Sequence, residues 1–171
     1  MPQPDMDAVV DPVVTPWSLE DLRRGFHVGR RTVLLDTTTV WVGKDKQEQS
    51  RRIEARVTAI GDEAVTLATR VWDGAGKLVA EREGRKADFE QPLAIFGRFD
   101  KARTTIRSET FELGSRSIPA MVYANRQIVD SQEQKITLWV ARDIPGLVLR
   151  MRIETPRRRS DTRLIEFEDG T

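Results

Sequence analysis

Few polar residues of this 171-residue chain have the types and spacing that catalysis requires. His27 is the only histidine, and there is no cysteine. A Ser-His-Asp hydrolase would have to use His27, but no Gly-x-Ser-x-Gly elbow is present to place its serine. An imidazole that interacts with the last carbonyls of a helix is the favoured interpretation. One imidazole without thiols cannot form a histidine-rich or cysteine-containing zinc site, and no Asp-rich calcium loop occurs, so the sequence predicts no metal.

Paired carboxylates need only Asp and Glu, and Asp143 and Glu154 are the candidates of this kind. Asp143 stands just before Pro145-Gly146, where local amide hydrogen bonds account for it, and Glu154 alternates outward beside Arg152. The glycines are scattered singly at turns and form neither a phosphate loop nor a dinucleotide fingerprint. The sequence therefore predicts a protein without catalytic residues or a cofactor, and not an enzyme.

The stretch TLWVARDIPGLVLRMRIET, residues 137–155, has two interpretations. Two alternating runs flank the DIPG segment, and Arg150 and Arg152 lie on the polar side of the second run. The stretch could form a binding site with paired arginines, or only a hairpin. The hairpin is favoured, because Pro145 cannot donate to a ladder and Gly146 permits a positive φ. The arginines are then expected to stack on Trp139 across the hairpin.

Basic residues suggest two anion-binding alternatives. Arg157-Arg158-Arg159 offers charge to phosphates or lipid headgroups, although keeping a hairpin tip soluble is the favoured interpretation. Aromatic and basic residues that could form a single-stranded nucleic-acid surface are Trp72, Trp139, Arg70 and Arg150. With 28 basic and 27 acidic side chains, a net charge of +1 and 6% aromatic residues, the composition argues against nucleic-acid binding.

The elements that position these residues are predicted to form one domain, residues 17–171, after a flexible Pro/Asp-rich leader, residues 1–16. A short helix is predicted over 18–26, because Ser18 can cap it, Glu20 and Asp21 favour its positive end, and apolar residues recur at helical spacing.

From Thr32 onward the pattern has a period of two, which predicts β-strands with one buried face. Turn formers such as WDGAGK, 72–77, separate strands at short intervals, so the sheet should be antiparallel. The later strands are predicted at about 103–113, 117–129, 133–141, 146–155 and 161–168. The segment 88–101 is predicted to be a long loop that folds its apolar residues over one end of the sheet. The predicted fold is mainly β: a single, strongly curved antiparallel sheet, a half-barrel or open barrel of about eight or nine strands, with one short N-terminal helix.

The order of a short helix, VGRRTVLLDTTT, paired hairpins, ETFELGSRSIPAMVY, ITLWVARDIPGLVLRMRIET and TRLIEFE resembles a group of bacterial β-rich proteins that are commonly exported or lipid-anchored. It spans about residues 18–168, and 136–168 is its most specific part. Such proteins look like distant relatives of the LolA/LolB-like lipoprotein carriers. The resemblance implies a half-barrel that wraps an apolar cavity beside a helix, and it carries no catalytic residues. We expect a periplasmic or envelope location if an export signal was removed, and a cytoplasmic location otherwise.

A curled sheet would present an aliphatic face as the candidate apolar-ligand site: Val57, Val65, Leu67, Ile136, Leu138, Leu147, Leu149, Met151 and Ile153. These residues could form a plain closed core under the helix, or line a cavity that holds an acyl chain. The predicted function is a non-catalytic binding module that holds a lipid-like or other apolar ligand in such a cavity; the alternative, with a closed core, is a structural or interaction protein that docks on a bacterial partner assembly. No stretch approaches the roughly 20 apolar residues of a membrane-spanning helix. The oligomeric state stays open.

Overall fold

The computed structural model describes residues 12–170. Nine strands, two short α-helices and two 3₁₀ turns follow one another along the chain. The elements are α1 (Leu19–Gly25), β1 (Arg31–Val42), β2 (Asp45–Ile60), β3 (Ala64–Asp73), β4 (Leu78–Asp88), α2 (Gln91–Ala94), two 3₁₀ turns (Ile95–Arg98 and Lys101–Arg103), β5 (Thr104–Leu113), β6 (Arg116–Val129), β7 (Gln132–Ala141), β8 (Val148–Thr155) and β9 (Arg158–Glu168). The predicted mainly-β architecture with one antiparallel sheet is confirmed.

All nine strands belong to one sheet in the order β4-β3-β2-β1-β9-β8-β7-β6-β5. Each neighbouring pair is antiparallel, and all the connections are local hairpins except the segment between β4 and β5. The pairing of β1 with β9 joins the N-terminal four-stranded meander to the C-terminal five-stranded one. The sheet is therefore built from two meanders that share one long-range seam.

The sheet is open but strongly curved. Cα atoms of β5 and β9 come within 8 Å of each other, although three strands separate them in the sheet order. The guanidinium of Arg163 on β9 lies 5.5 Å from the ring centroid of Phe111 on β5. The β5 edge therefore curls back towards β9 without pairing with it.

Helix α1 begins where the sequence predicts it. The Ser18 hydroxyl accepts a hydrogen bond from the Asp21 amide at 3.1 Å, and the Asp21 carboxylate accepts one from the Ser18 amide at 2.8 Å. This reciprocal cap satisfies two amides that a helix start leaves free. Leu22 is fully buried and fastens the helix to the sheet.

Residues 12–16 of the predicted leader lie against the domain, and residues 1–11 are outside the described part. The Val13 amide donates to the Phe99 carbonyl at 3.3 Å, and the Tyr123 hydroxyl donates to the Val14 carbonyl at 3.0 Å. The Val13 side chain is buried. These contacts tie residues 13 and 14 to the segment that follows β4 and to β6.

The segment between β4 and β5 contains α2 and the two 3₁₀ turns. Its apolar side chains turn inward, and Phe89, Phe96 and Phe99 are almost completely buried. They pack against Trp17, Leu22, Val57, Val65, Tyr123, Ile136, Leu138 and Val140 to form what we call the first core. A second core contains Phe111, Ile118, Ala120, Ala141, Leu147, Leu149 and Leu164.

Candidate interaction surface

The nine residues of the predicted apolar site do not form one group. Val57, Val65, Ile136 and Leu138 are buried in the first core, and Leu67, Met151 and Ile153 are half-buried against it. Leu147 and Leu149 instead belong to the second core. The ladder between β7 and β8 shifts between Trp139 and Val140, so Leu149 has no direct partner on β7. This bulge breaks the strict alternation on which a single aliphatic face depends.

Aromatic side chains fill the space that the curved sheet encloses over the first core. The Phe96 ring centroid lies 4.9 Å from that of Tyr123 and 6.3 Å from those of Trp17 and Phe99, in edge-to-face arrangements. The Trp17 indole donates to the Ala141 carbonyl at 2.9 Å. We call Trp17, Phe89, Phe96 and Phe99 the aromatic plug. Because its rings pack closely and Trp17 has its polar partner, this part of the interior is solid.

A pocket of about 270 Å³ lies beside the plug, between α1 and the ends of β2 and β4. It is lined by Leu19, Arg23, Glu63, Asp88, Phe89 and Glu90. Four of these six residues carry charge. The lining is therefore unlike the predominantly apolar wall that an acyl chain requires.

The DIPG segment packs on helix α1. Gly146 has φ +77°, and a Cβ there would lie 2.7 Å from two ring atoms of Phe26. A Cβ at Gly25 would lie 2.8 Å from Pro145. The segment is thus a turn, as the sequence indicates, and also a close contact between helix and sheet.

Of the two arginines predicted to stack on Trp139, Arg150 lies over its ring and Arg152 does not. The Arg150 guanidinium lies 5.2 Å from its ring centroid, and the indole donates to Glu109 on β5 at 2.9 Å. Arg150 Nε donates to Asp161 at 2.8 Å, and Arg152 Nη2 donates to the same carboxylate at 3.2 Å. The Arg150 hydrogen bond is the main cause that lowers the pKa of Asp161 below its ordinary value. Arg150 and Arg152 therefore share one carboxylate.

The register extends this cluster into a line of facing residues across the sheet. Trp139 on β7 lies opposite Arg150, and Arg150 lies opposite Arg163 on β9. Arg163 lies opposite Leu35 on β1, and Leu35 opposite Arg52 on β2. Arg52 lies opposite Trp72 on β3, and its guanidinium is 5.3 Å from that ring centroid. We call this line the Trp/Arg row: Trp72, Arg52, Leu35, Arg163, Arg150 and Trp139.

Exposure and charge along the row are mixed. Leu35, near its middle, is 39% exposed, and Arg163 is exposed as well. Arg52 Nη2 lies 3.2 Å from Glu166 Oε1, and Arg150 is paired with Asp161. Two of the three arginines are thus neutralised within the protein, which leaves little free positive charge for a phosphate backbone.

No family model matches the chain, and no curated protein matches it. The resemblance to LolA/LolB-like carriers stays a prediction. None of the helices described in residues 12–170 is long and apolar enough to cross a membrane.

His27 follows α1 and faces the C-terminal end of the described chain. Its Nδ1 lies 3.6 Å from Asp169 Oδ1, and Arg30 Nε lies 3.2 Å from the same oxygen. The Arg30 side chain is only 3% exposed and lies between the rings of Phe26 and Phe167, 4.7 Å and 5.4 Å from their centroids. Burial lowers the pKa of Arg30, which still stays charged. His27 thus shares the Asp169 carboxylate with the buried guanidinium of Arg30.

The two carboxylates considered for hydrolysis lie apart. Asp143 pairs with Arg142 at 3.2 Å before β8 begins, and Glu154 pairs with Arg159 near the end of β8. The rise of a strand places them roughly 20 Å apart, which is too far for a shared glycosidic bond. Within residues 12–170, no group of three or more His, Cys, Asp or Glu side chains could hold a metal ion.

Proposed function

We propose that the chain is a non-catalytic interaction domain with a closed core, which docks on a protein partner through the Trp/Arg row. The observation that carries this proposal is the register, which aligns two tryptophans, three arginines and an exposed leucine from six strands. Tryptophan and arginine are the side chains most enriched in the energetically dominant positions of protein interfaces.

The surroundings of the row favour a protein over a nucleic acid. Arg52 and Arg150 already have carboxylate partners, whereas a phosphate backbone needs free charge. The exposed Leu35 adds an aliphatic contact at the centre of the row. The aromatic plug is part of the first core and keeps the sheet rigid, because a closely packed interior holds the sheet in one shape.

Site-specific photo-cross-linking tests the docking surface. A photoreactive phenylalanine derivative replaces Leu35 in the row, and in the control it replaces Val28, which is 50% exposed outside the row. We expect one protein adduct that forms from position 35, is absent from position 28 and disappears when Arg163→Glu is added. Adducts that form equally from both positions, or that survive Arg163→Glu, would remove the row from the proposal.

A carrier for a lipid-like ligand is the second proposal. Met151 and Ile153 are only half-buried at the border of the first core, which is the observation in its favour. Native mass spectrometry of freshly purified protein checks it. With a solid core we expect the mass of the bare chain and no rise in melting temperature with fatty acid; a co-purified lipid would favour the carrier instead.

A further inference from the structure

Three hairpin turns lie side by side at one end of the sheet. They join β1 to β2, β8 to β9, and β6 to β7, and the strands concerned are consecutive in the sheet. The Trp41 amide donates to the Arg157 carbonyl at 3.0 Å, which brings the first two turns together. Lys135 lies opposite Glu154, so the β6–β7 turn reaches about the same height. We call this end the hairpin rim, residues 41–46, 128–132 and 155–158.

Aliphatic side chains on the rim point into solvent. Val42 is 60% exposed, Ile128 58% and Val129 41%. Val42 and Val129 flank the two-residue turns of the β1–β2 and β6–β7 hairpins, and Ile128 precedes Val129. The rim thus carries exposed aliphatic side chains on its two outer turns, with the basic β8–β9 turn between them.

The charges of the rim are mainly basic. Lys44, Lys46, Arg157 and Arg158 face two acidic residues, Asp45 and Asp130. Lys46 lies 3.3 Å from Glu48, whereas Lys44, Arg157 and Arg158 form no ion pair with any residue of 12–170. The rim therefore brings together three basic side chains that have no ion-pair partner among residues 12–170.

We propose that the hairpin rim binds the surface of an anionic lipid bilayer. The aliphatic tips enter the headgroup region, while the unpaired basic residues contact anionic headgroups. Because the three turns of the rim lie at one end of the strands, binding through them holds the strands upright on the membrane. This inference goes beyond docking through the Trp/Arg row, which runs across the strands below the rim.

Two features favour a bilayer over a nucleic acid. Bases bind by stacking on free aromatic rings, but the Trp41 ring already carries the Arg159 guanidinium, 5.9 Å from its centroid. The other exposed apolar side chains of the rim are aliphatic. Aliphatic tips gain more from the acyl boundary of a bilayer than from an unstacked base.

Vesicle co-sedimentation of the full chain tests the proposal. The probes are phosphatidylcholine vesicles and vesicles that also contain phosphatidylglycerol. We expect binding to the anionic vesicles only, weakened by salt. A rim variant with Lys44→Glu, Arg157→Glu and Arg158→Glu is expected to bind at least about 100-fold more weakly, since each basic residue near such a surface contributes about five-fold.

The matched control reverses three exposed arginines away from the rim that also form no ion pair with any residue of 12–170, Arg23, Arg56 and Arg85. It makes the same change in net charge and should keep vesicle binding. Val42→Ser leaves every charge in place and should weaken binding by removing one aliphatic tip. Equal loss in rim and control variants, or no preference for anionic vesicles, would overturn the proposal. Binding to a single-stranded oligonucleotide but not to vesicles would overturn it too, and would assign the basic tips to nucleic acid.

Discussion

Asp161 is the carboxylate on which the arginines of β8 converge. It is partly buried, and its hydrogen bonds with Arg150 and Arg152 are made across the β8–β9 ladder. Arg150 and Arg152 are two residues apart on the same face of β8, so without Asp161 their guanidinium groups would repel each other. The carboxylate therefore sets the position of Arg150, and through it the stack on Trp139.

Replacing Asp161 tests this arrangement through its pH dependence. Asp161→Asn should destabilise the protein by about 1.5–3 kcal/mol at neutral pH, the usual range for hydrogen bonds to charged groups. The folded pKa of Asp161 lies below its ordinary value of 3.8. The stabilisation is therefore complete above that value and is lost as the pH falls through the folded pKa. Urea unfolding should show that the difference in free energy of unfolding between the wild-type protein and Asp161→Asn is constant above about pH 5 and shrinks in acid. A difference that does not depend on pH would contradict the ion pair.

Gly146 is constrained both by its backbone and by its neighbour. Gly146→Val should cost about 2–4 kcal/mol, because a branched side chain at φ +77° is strained and also collides with the Phe26 ring. Pro145→Ala should cost much less, since the carbonyl that accepts a hydrogen bond from Arg30 remains. Thermal unfolding of both variants provides the comparison, and equal melting temperatures would argue against this packing.

At the scale of elements, the segment between β4 and β5 acts as a second layer on the sheet. Its phenylalanines occupy the concavity that a half-barrel carrier would leave to its ligand. The sequence does not indicate this role, because Pro92 and Gly97 interrupt the apolar run. The run therefore has neither the period of a helix nor that of a strand. The segment was predicted to cover one end of the sheet; that it also meets Trp17 and Tyr123 depends on long-range packing.

Removing a ring from the plug should open a cavity. Phe96→Ala is expected to lose about 3–5 kcal/mol of stability, the usual range for a buried phenylalanine. The variant, and not the wild-type protein, should then gain melting temperature with a small apolar probe such as benzene. Val14→Ala, at a 74% exposed site, is the control that should change neither property. Probe binding by the wild-type protein would show that the interior is not solid.

Much of the secondary structure follows from local patterns. The cap at Ser18, the two-residue turns and the alternation of β2, β3 and β7 are all readable along the chain, and the predicted strands from 103 onward lie close to β5–β9. The Trp/Arg row is harder to predict from local patterns. Trp139 and Arg150 could be paired across their hairpin, but Leu35 meets Arg163 only through the β1–β9 seam, which no local pattern specifies.

At the scale of the whole molecule, the two edge strands differ from the centre. Nearly every residue of β4 is exposed, whereas Val33 on β1 and Leu164 on β9 are buried. An edge such as β4 invites pairing with another chain, and its charged residues, among them Glu81, Arg82 and Lys86, oppose this.

The rate of amide hydrogen exchange should differ between the edge strands and the central strands. Exchange is expected to be fastest in β4 and β5, and slowest in β1, β9 and β8, because the central strands are paired on both sides and open only with larger units. Mass spectrometry of peptic fragments can measure the order. Slow exchange throughout β4 would instead reveal a partner on this edge, for which a concentration series is the control.

The seam between β1 and β9 also concerns the order of synthesis. β1 is synthesised well before β9, which begins at Arg158 and supplies the partners of β1 on one side. Until then β1 is an open edge, and the N-terminal meander has an unpaired strand at each side. Such edges favour aggregation in incomplete chains. A chain truncated before β9 should therefore be a better substrate for chaperones and proteases than a chain that includes it, because the eleven residues of β9 join the two meanders.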